Sequence, residues 1–124
     1  MKAFCNEAHF LIFSAFANRT RLAIIDTIRE GAKTLSEISE ASGQEETVVE
    51  ENLKPLIRCA IVFSQDVGAE KAYRLNRELL EPLSELLSFH VEKHCPGFKE
   101  CIPPEKLKEY MKAEAAKNTF IEHE

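Results

Sequence analysis

Apolar residues recur along the first segment, Lys2 to Ala17, on nearly every side: Phe4, Ala8, Leu11, Ile12, Ala15 and Phe16, with Phe10 and Phe13 on the flank. A helix without a clean polar face must be covered on more than one side. Asn18 reads as the N-cap of a second helix that ends at Gly31, with Leu22, Ile25 and Ile28 on its inner face. Thr34-Leu35-Ser36-Glu37 has the capping-box pattern and predicts a short helix to Ala41. Ser42-Gly43-Gln44-Glu45 repeats that pattern, so a further helix is expected from Glu45 to about Arg58, with Pro55 kinking or shortening its last turn. Two helices joined by a Ser-Gly turn form a helix-turn-helix signature.

The period then changes. Ala60 to Ser64 and Lys71 to Leu75 are β-prone runs around a polar loop, Gln65 to Glu70, that contains Gly68. They predict a hairpin, the wing of a winged helix. Asn76 is placed to cap a last long helix, with Pro82 expected in its first turn. Leu79, Leu80, Leu83, Leu86, Leu87, His90, Val91 and His94 fall along one stripe of it, and Pro96-Gly97 breaks it. A polar segment with helical propensity follows Pro103-Pro104 and runs to Lys117, and the last seven residues should fray. The expected fold is mainly α, a winged helix-turn-helix in the order α-α-α-α-β-β-α, with long first and last helices forming a dimer interface. Residues 1–98 make the winged-helix domain and 99–124 a C-terminal extension.

A length of 124 residues suits one such domain, and 44% hydrophobic with 30% charged residues is a globular composition. No apolar run approaches the ~20 residues of a membrane span. The start has neither the basic stretch nor the cleavage site of a signal peptide, so the expected location is the cytoplasm. Phosphate loops, nucleophile motifs and cleft-like carboxylate pairs are absent, so the chain does not read as an enzyme. The formal net charge is −5, unusual for a protein that lives by phosphate contacts.

Leu11 to Leu75 resembles the ArsR family of winged-helix repressors. The resemblance is carried by Leu11-Ile12-Phe13-Ser14-Ala15-Phe16-Ala17-Asn18-Arg19-Thr20-Arg21-Leu22 and the Ile-rich helix after it. Leu35-Ser36-Glu37-Ile38, Gly43, Leu53-Lys54-Pro55-Leu56 and Tyr73-Arg74-Leu75 continue it in register. It implies a homodimer joined through the first and last helices, acting on double-stranded DNA. The departures concern the recognition helix. Where relatives carry Ser or Thr, Arg and His, this chain has Glu50, Glu51 and Asn52, and Glu45 and Glu46 add two more carboxylates. The wing loop is Gln65-Asp66-Val67-Gly68-Ala69-Glu70 rather than Arg-rich, and Arg19 stands where relatives have Pro. Carboxylates repel phosphate, and four on one helix is no base-reading pattern. Thr47, Asn52, Lys54 and Arg58 remain as DNA contacts, although Lys54 has Glu50 one turn back as an ion-pair partner. Two readings stay open: a transcriptional regulator, or a winged-helix module that has lost DNA binding, binds metal or docks its acidic helix on a basic protein surface.

Cys5 and His9 share a helix face, as do His90 and His94, and Cys95 and Cys101 flank the Pro-Gly turn. If the first and last helices run antiparallel at a dimer interface, Cys5, His9, His94, Cys95 and Cys101 can converge, with His90 as a further candidate. Thiolate and imidazole together suit zinc or another transition metal. Cys95 and Cys101 could instead close a disulfide, with Lys93 and Lys99 favouring the thiolate. The plainer alternatives are a hydrogen-bonded interface role for His90, a small buried apolar role for Cys5, and a core role for Cys59.

Overall fold

The computed structural model describes residues 1–94. In chain order they form α1 (Glu7–Phe16), α2 (Arg19–Thr27), β1 (Lys33–Thr34), α3 (Leu35–Ser42), α4 (Glu46–Arg58), β2 (Val62–Val67), β3 (Glu70–Leu75) and α5 (Arg77–His94). The mainly helical winged helix-turn-helix is therefore observed, with β1 as an addition. The chain divides between Pro82 and Leu83, inside α5, into two units. The expected boundary at 98/99, the break at Pro96-Gly97, the polar helix to Lys117 and the frayed end all lie outside the described residues. Among the described residues no helix is long and apolar enough to cross a membrane.

Helix starts follow the capping residues. Asn6 Oδ1 accepts from the His9 amide at 2.9 Å and starts α1, so the helix begins at Glu7 and not at Lys2. Asn18 Oδ1 accepts from the Arg21 amide at 3.0 Å and starts α2. Thr34 and Glu37 close a full capping box on α3, and Gly43 ends that helix at φ 72°. The second box does not form. Glu45 precedes α4 with no side-chain cap, and Ser42 Oγ is used inside the turn, accepting from the Gln44 amide.

The inner face of α2 is Arg21, Ile24, Ile25 and Ile28, spaced i, i+3, i+4, i+7, rather than the Leu22 face. Leu22 is 47% exposed, while Ile24 and Ile28 are fully buried. These isoleucines pack with Ala15, Ile38, Val49, Leu53, Leu56, Ile61, Val62 and Leu75 into one core. Pro55 lies inside α4, which runs on to Arg58.

The wing is longer and its turn tighter than expected. β2 and β3 pair antiparallel from Val62↔Leu75 to Val67↔Glu70, so Gln65 and Asp66 are strand residues opposite Ala72 and Lys71. Only Gly68 and Ala69 remain in the turn, with Gly68 at φ 65° in the glycine-first arrangement of a tight hairpin. β1 adds to the other edge of β3, with Lys33 opposite Tyr73.

Asn76 precedes α5, but its side chain does not cap it; Nδ2 donates to the Ala60 carbonyl at 2.9 Å. Pro82 lies beyond the first turn, and α5 continues through it. Leu79 and Leu80 pack against the core of the first unit. Beyond the division, Leu86, Leu87, Phe89 and Val91 are 65%, 54%, 56% and 50% exposed.

Candidate nucleic-acid interface

Three stripes run along α4. Val49, Leu53 and Leu56 are buried in the core. Val48, Asn52, Pro55 and Cys59 are half-buried along one edge. Glu46, Thr47, Glu50, Glu51, Lys54, Ile57 and Arg58 are exposed. The outer stripe is the surface a helix-turn-helix presents to a groove. Of the expected contact residues, Thr47, Lys54 and Arg58 stand on it, interleaved with glutamates.

Lys54 Nζ lies 2.9 Å from Glu51 Oε1, three residues back, rather than pairing with Glu50. That hydrogen bond, with the charges of Glu51 and Glu50, holds the ammonium above its ordinary value. Glu50 also acts on Tyr73 of β3. Burial raises the Tyr73 hydroxyl above its usual range, and the Glu50 carboxylate adds to the effect. The helix thus carries its negative charge up to β3. On the hairpin, the Arg74 guanidinium stacks 4.8 Å from the Phe63 ring centre.

Asn52 is engaged at both ends. Its Oδ1 accepts from Arg21 Nη1 at 3.3 Å, and its Nδ2 donates to the Val48 carbonyl at 2.8 Å. Arg21 is the residue the sequence reading passed over. Its Nε donates to the Ala15 carbonyl at 2.7 Å and its Nη2 to the Ser14 carbonyl at 3.0 Å. The last carbonyls of a helix lack partners within it. In α1, Phe13 is taken by the Ala17 amide and Phe16 by the Asn18 amide, so Arg21 supplies the two that remain. A cation at a helix C-terminus also suits the dipole. The available signal was a charged residue at the first position of the Ile24, Ile25, Ile28 face.

The proposed ligand residues are placed less decisively. Cys5 is exposed and reduced. His9 Nδ1 lies 3.1 Å from Asn6 Nδ2 and 3.3 Å from the Phe4 carbonyl, and the Phe4 ring lies 5.7 Å from the imidazole. His90 and His94 are exposed on α5 with ring centres 5.4 Å apart. Cys95 and Cys101 lie outside the described residues. Among the described residues no group of three or more His, Cys, Asp or Glu is placed to hold a metal ion. Cys59 is half-buried and its Sγ donates to the Leu11 carbonyl at 3.6 Å.

The sequence matches no protein-family model and no curated protein. The fold does match solved structures. One is the homodimeric winged helix-turn-helix DNA-binding domain of Mb0332 from Mycobacterium bovis, a possible ArsR-family transcriptional regulator. It is 26% identical, with 71% of this chain and 82% of that chain covered at a TM-score of 0.63. The transcriptional repressor BigR from Xylella fastidiosa is 19% identical, covering 69% and 85% at a TM-score of 0.55. The ArsR family transcriptional regulator RHA00566 is 20% identical, covering 69% and 94% at a TM-score of 0.55. The last two are likenesses of fold. All three neighbours are described as transcriptional regulators or repressors, Mb0332 as a possible ArsR-family member and RHA00566 as one, and none is described as an enzyme.

Proposed function

We propose that this chain is an ArsR-type transcriptional regulator that works as a homodimer on double-stranded DNA. The observation that carries the reading is the exposed stripe of α4, held on a complete helix-turn-helix beside a paired hairpin wing. The Mycobacterium bovis domain of the same fold is described as homodimeric and DNA-binding. Support for a dimer comes also from apolar surface left bare in the single chain: Phe4, Phe10 and Phe13 are 61%, 63% and 60% exposed, and α5 bares its leucines beyond Pro82. Phe4 and Phe13 lie together, with ring centres 6.3 Å apart, and clustered apolar surface marks association sites. Thr47, Lys54 and Arg58 are the proposed contacts to DNA, with Asn52 acting through the position of α4.

Because Lys54 is already paired and four glutamates flank it, binding to generic duplex is weak. Fluorescence anisotropy on a labelled duplex, repeated across a salt series, tests this. The expected curve shows low affinity that falls as salt rises, with a shallow slope set by few phosphate contacts. Binding that ignores salt, or none in the lowest salt, favours the second reading, a protein-interaction module docking on a basic surface. The acidic outer stripe of α4 is what supports that second reading.

The finer part of the proposal is responsiveness to a metal or an oxidant. The described donors alone do not make a three-ligand set. The reading therefore rests on Cys95 and Cys101, with Cys5, His9, His90 and His94 as further donors. Elemental analysis of untagged protein should find about one zinc-like ion per chain. Changing Cys95 and Cys101 to Ser should remove it, and Cys59→Ser should not. Metal-free protein with a Cys95–Cys101 disulfide after mild oxidation supports the redox version, and reduced, metal-free protein rules out both.

A further inference from the structure

The half-buried edge of α4 meets α1 at two points along its length. Asn52, in the middle of α4, reaches the C-terminal carbonyls of α1 through Arg21. Cys59, at the end of α4, reaches the Leu11 carbonyl directly. Both links go to the backbone of α1, and the same helix carries the exposed rings of Phe10 and Phe13. One short helix therefore carries both the bare apolar surface and the links to the recognition helix. Its amide-to-carbonyl frame cannot shift by much without stretching the Arg21 bonds, and a guanidinium fork transmits direction as well as distance.

We infer that α1 is a strut through which dimerisation orders the recognition helix, with Arg21 as the positioning residue that passes the constraint to Asn52. The inference rests on the homodimer reading. In the single chain, Phe10 and Phe13 of α1 are uncovered, and α4, anchored in the core by Val49, Leu53 and Leu56, is oriented further by its bonds to α1. Once a second copy covers Phe10 and Phe13, α1 is fixed, and the Arg21–Asn52 bond fixes the orientation of Thr47, Lys54 and Arg58. Ligand or redox events that loosen the subunit contact act on DNA affinity by the same route, and by linkage DNA tightens the dimer.

Amide hydrogen exchange of the full chain tests this, at concentrations where sedimentation shows mainly monomer and then mainly dimer. The expected result is that protection of the Val49 and Leu53 amides rises roughly tenfold on dimerisation, within the usual range of coupling between sites. Asn52→Ala should dimerise as before while this rise disappears. Asn52→Asp keeps an acceptor for Arg21 and should keep the rise, which a purely structural role for the amide would not predict. If a dimer forms with no change in α4, or if Asn52→Ala keeps the full rise, the strut is overturned and the dimer stands. A chain that stays monomeric at every concentration overturns both.

Discussion

The Ile61 amide donates to the Leu56 carbonyl at 2.9 Å, closing the end of α4 across five residues. The Ala60 amide donates to the Ile57 carbonyl inside that loop at 3.0 Å, so the pair forms a Schellman motif. The position that motif usually gives to glycine is held by Ala60, at φ 55°. The joint matters because the recognition helix, the wing and α5 meet there: Asn76 bonds to the carbonyls of both Ala60 and Ile61.

An alanine in the left-handed region is strained by its Cβ. Ala60→Gly should therefore raise stability by about 0.5–1 kcal/mol, after allowing for the greater freedom of glycine in the unfolded chain. Urea unfolding checks this. A loss of stability would mean that the Cβ makes contacts worth more than the strain.

The glutamates of α4 set the expected response to charge. Replacing Glu45, Glu46, Glu50 and Glu51 by Gln removes three negative charges from the outer stripe and one from the residue before α4, and frees Lys54 from Glu51. Affinity for generic duplex should rise by roughly tenfold at low salt. Stability should change little, because exposed ion pairs such as Lys54–Glu51 are worth at most about 1 kcal/mol. Unchanged affinity would place the DNA-binding surface away from α4.

Leu86 and Leu87 are more than half exposed in the single chain, at 65% and 54%. Changing both to Glu should leave the fold of the first unit intact and abolish the dimer, because two charges cannot be covered without partners. Circular dichroism with sedimentation separates the outcomes. A variant that still dimerises would remove α5 from the interface.

Acid should weaken the start of α3 in a defined direction. The Thr34 amide, and then the Thr34 hydroxyl, hold the Glu37 carboxyl below its ordinary value of 4.5. A lowered value in the folded state stabilises above the unfolded value and is lost as pH falls through the folded one. Wild type should thus exceed Glu37→Gln in urea midpoint at neutral pH, and the gap should close as pH falls below the ordinary glutamate value. A gap that widens in acid would contradict the capping box.

Much of this architecture is legible in the chain because local chemistry and core pattern agree. Asn18, the Thr34–Glu37 box and Gly43 mark helix ends by short-range hydrogen bonds, and the β-prone runs around Gly68 mark the strands. Most of the misreadings involve distant partners. β1 is only Lys33 and Thr34, and it is a strand because β3 offers a free edge. Gln65 and Asp66 look like a loop until Ala72 and Lys71 lie opposite. Ser42 had two possible uses, and the turn took it. At the candidate interface, Thr47, Lys54 and Arg58 were readable as an outer stripe by period alone. The engagement of Asn52 was not, because its partner is 31 residues away in sequence.

The central claim is that two copies of this chain read one duplex. Repeated selection from a randomised duplex pool, at low salt and with the full-length protein, tests it most directly. The expected result is enrichment of a palindromic sequence whose half-sites are centred about one helical turn, roughly 10 base pairs, or a multiple of it apart. A pool that shows no enriched sequence after repeated rounds, with the protein folded and dimeric throughout, would contradict it.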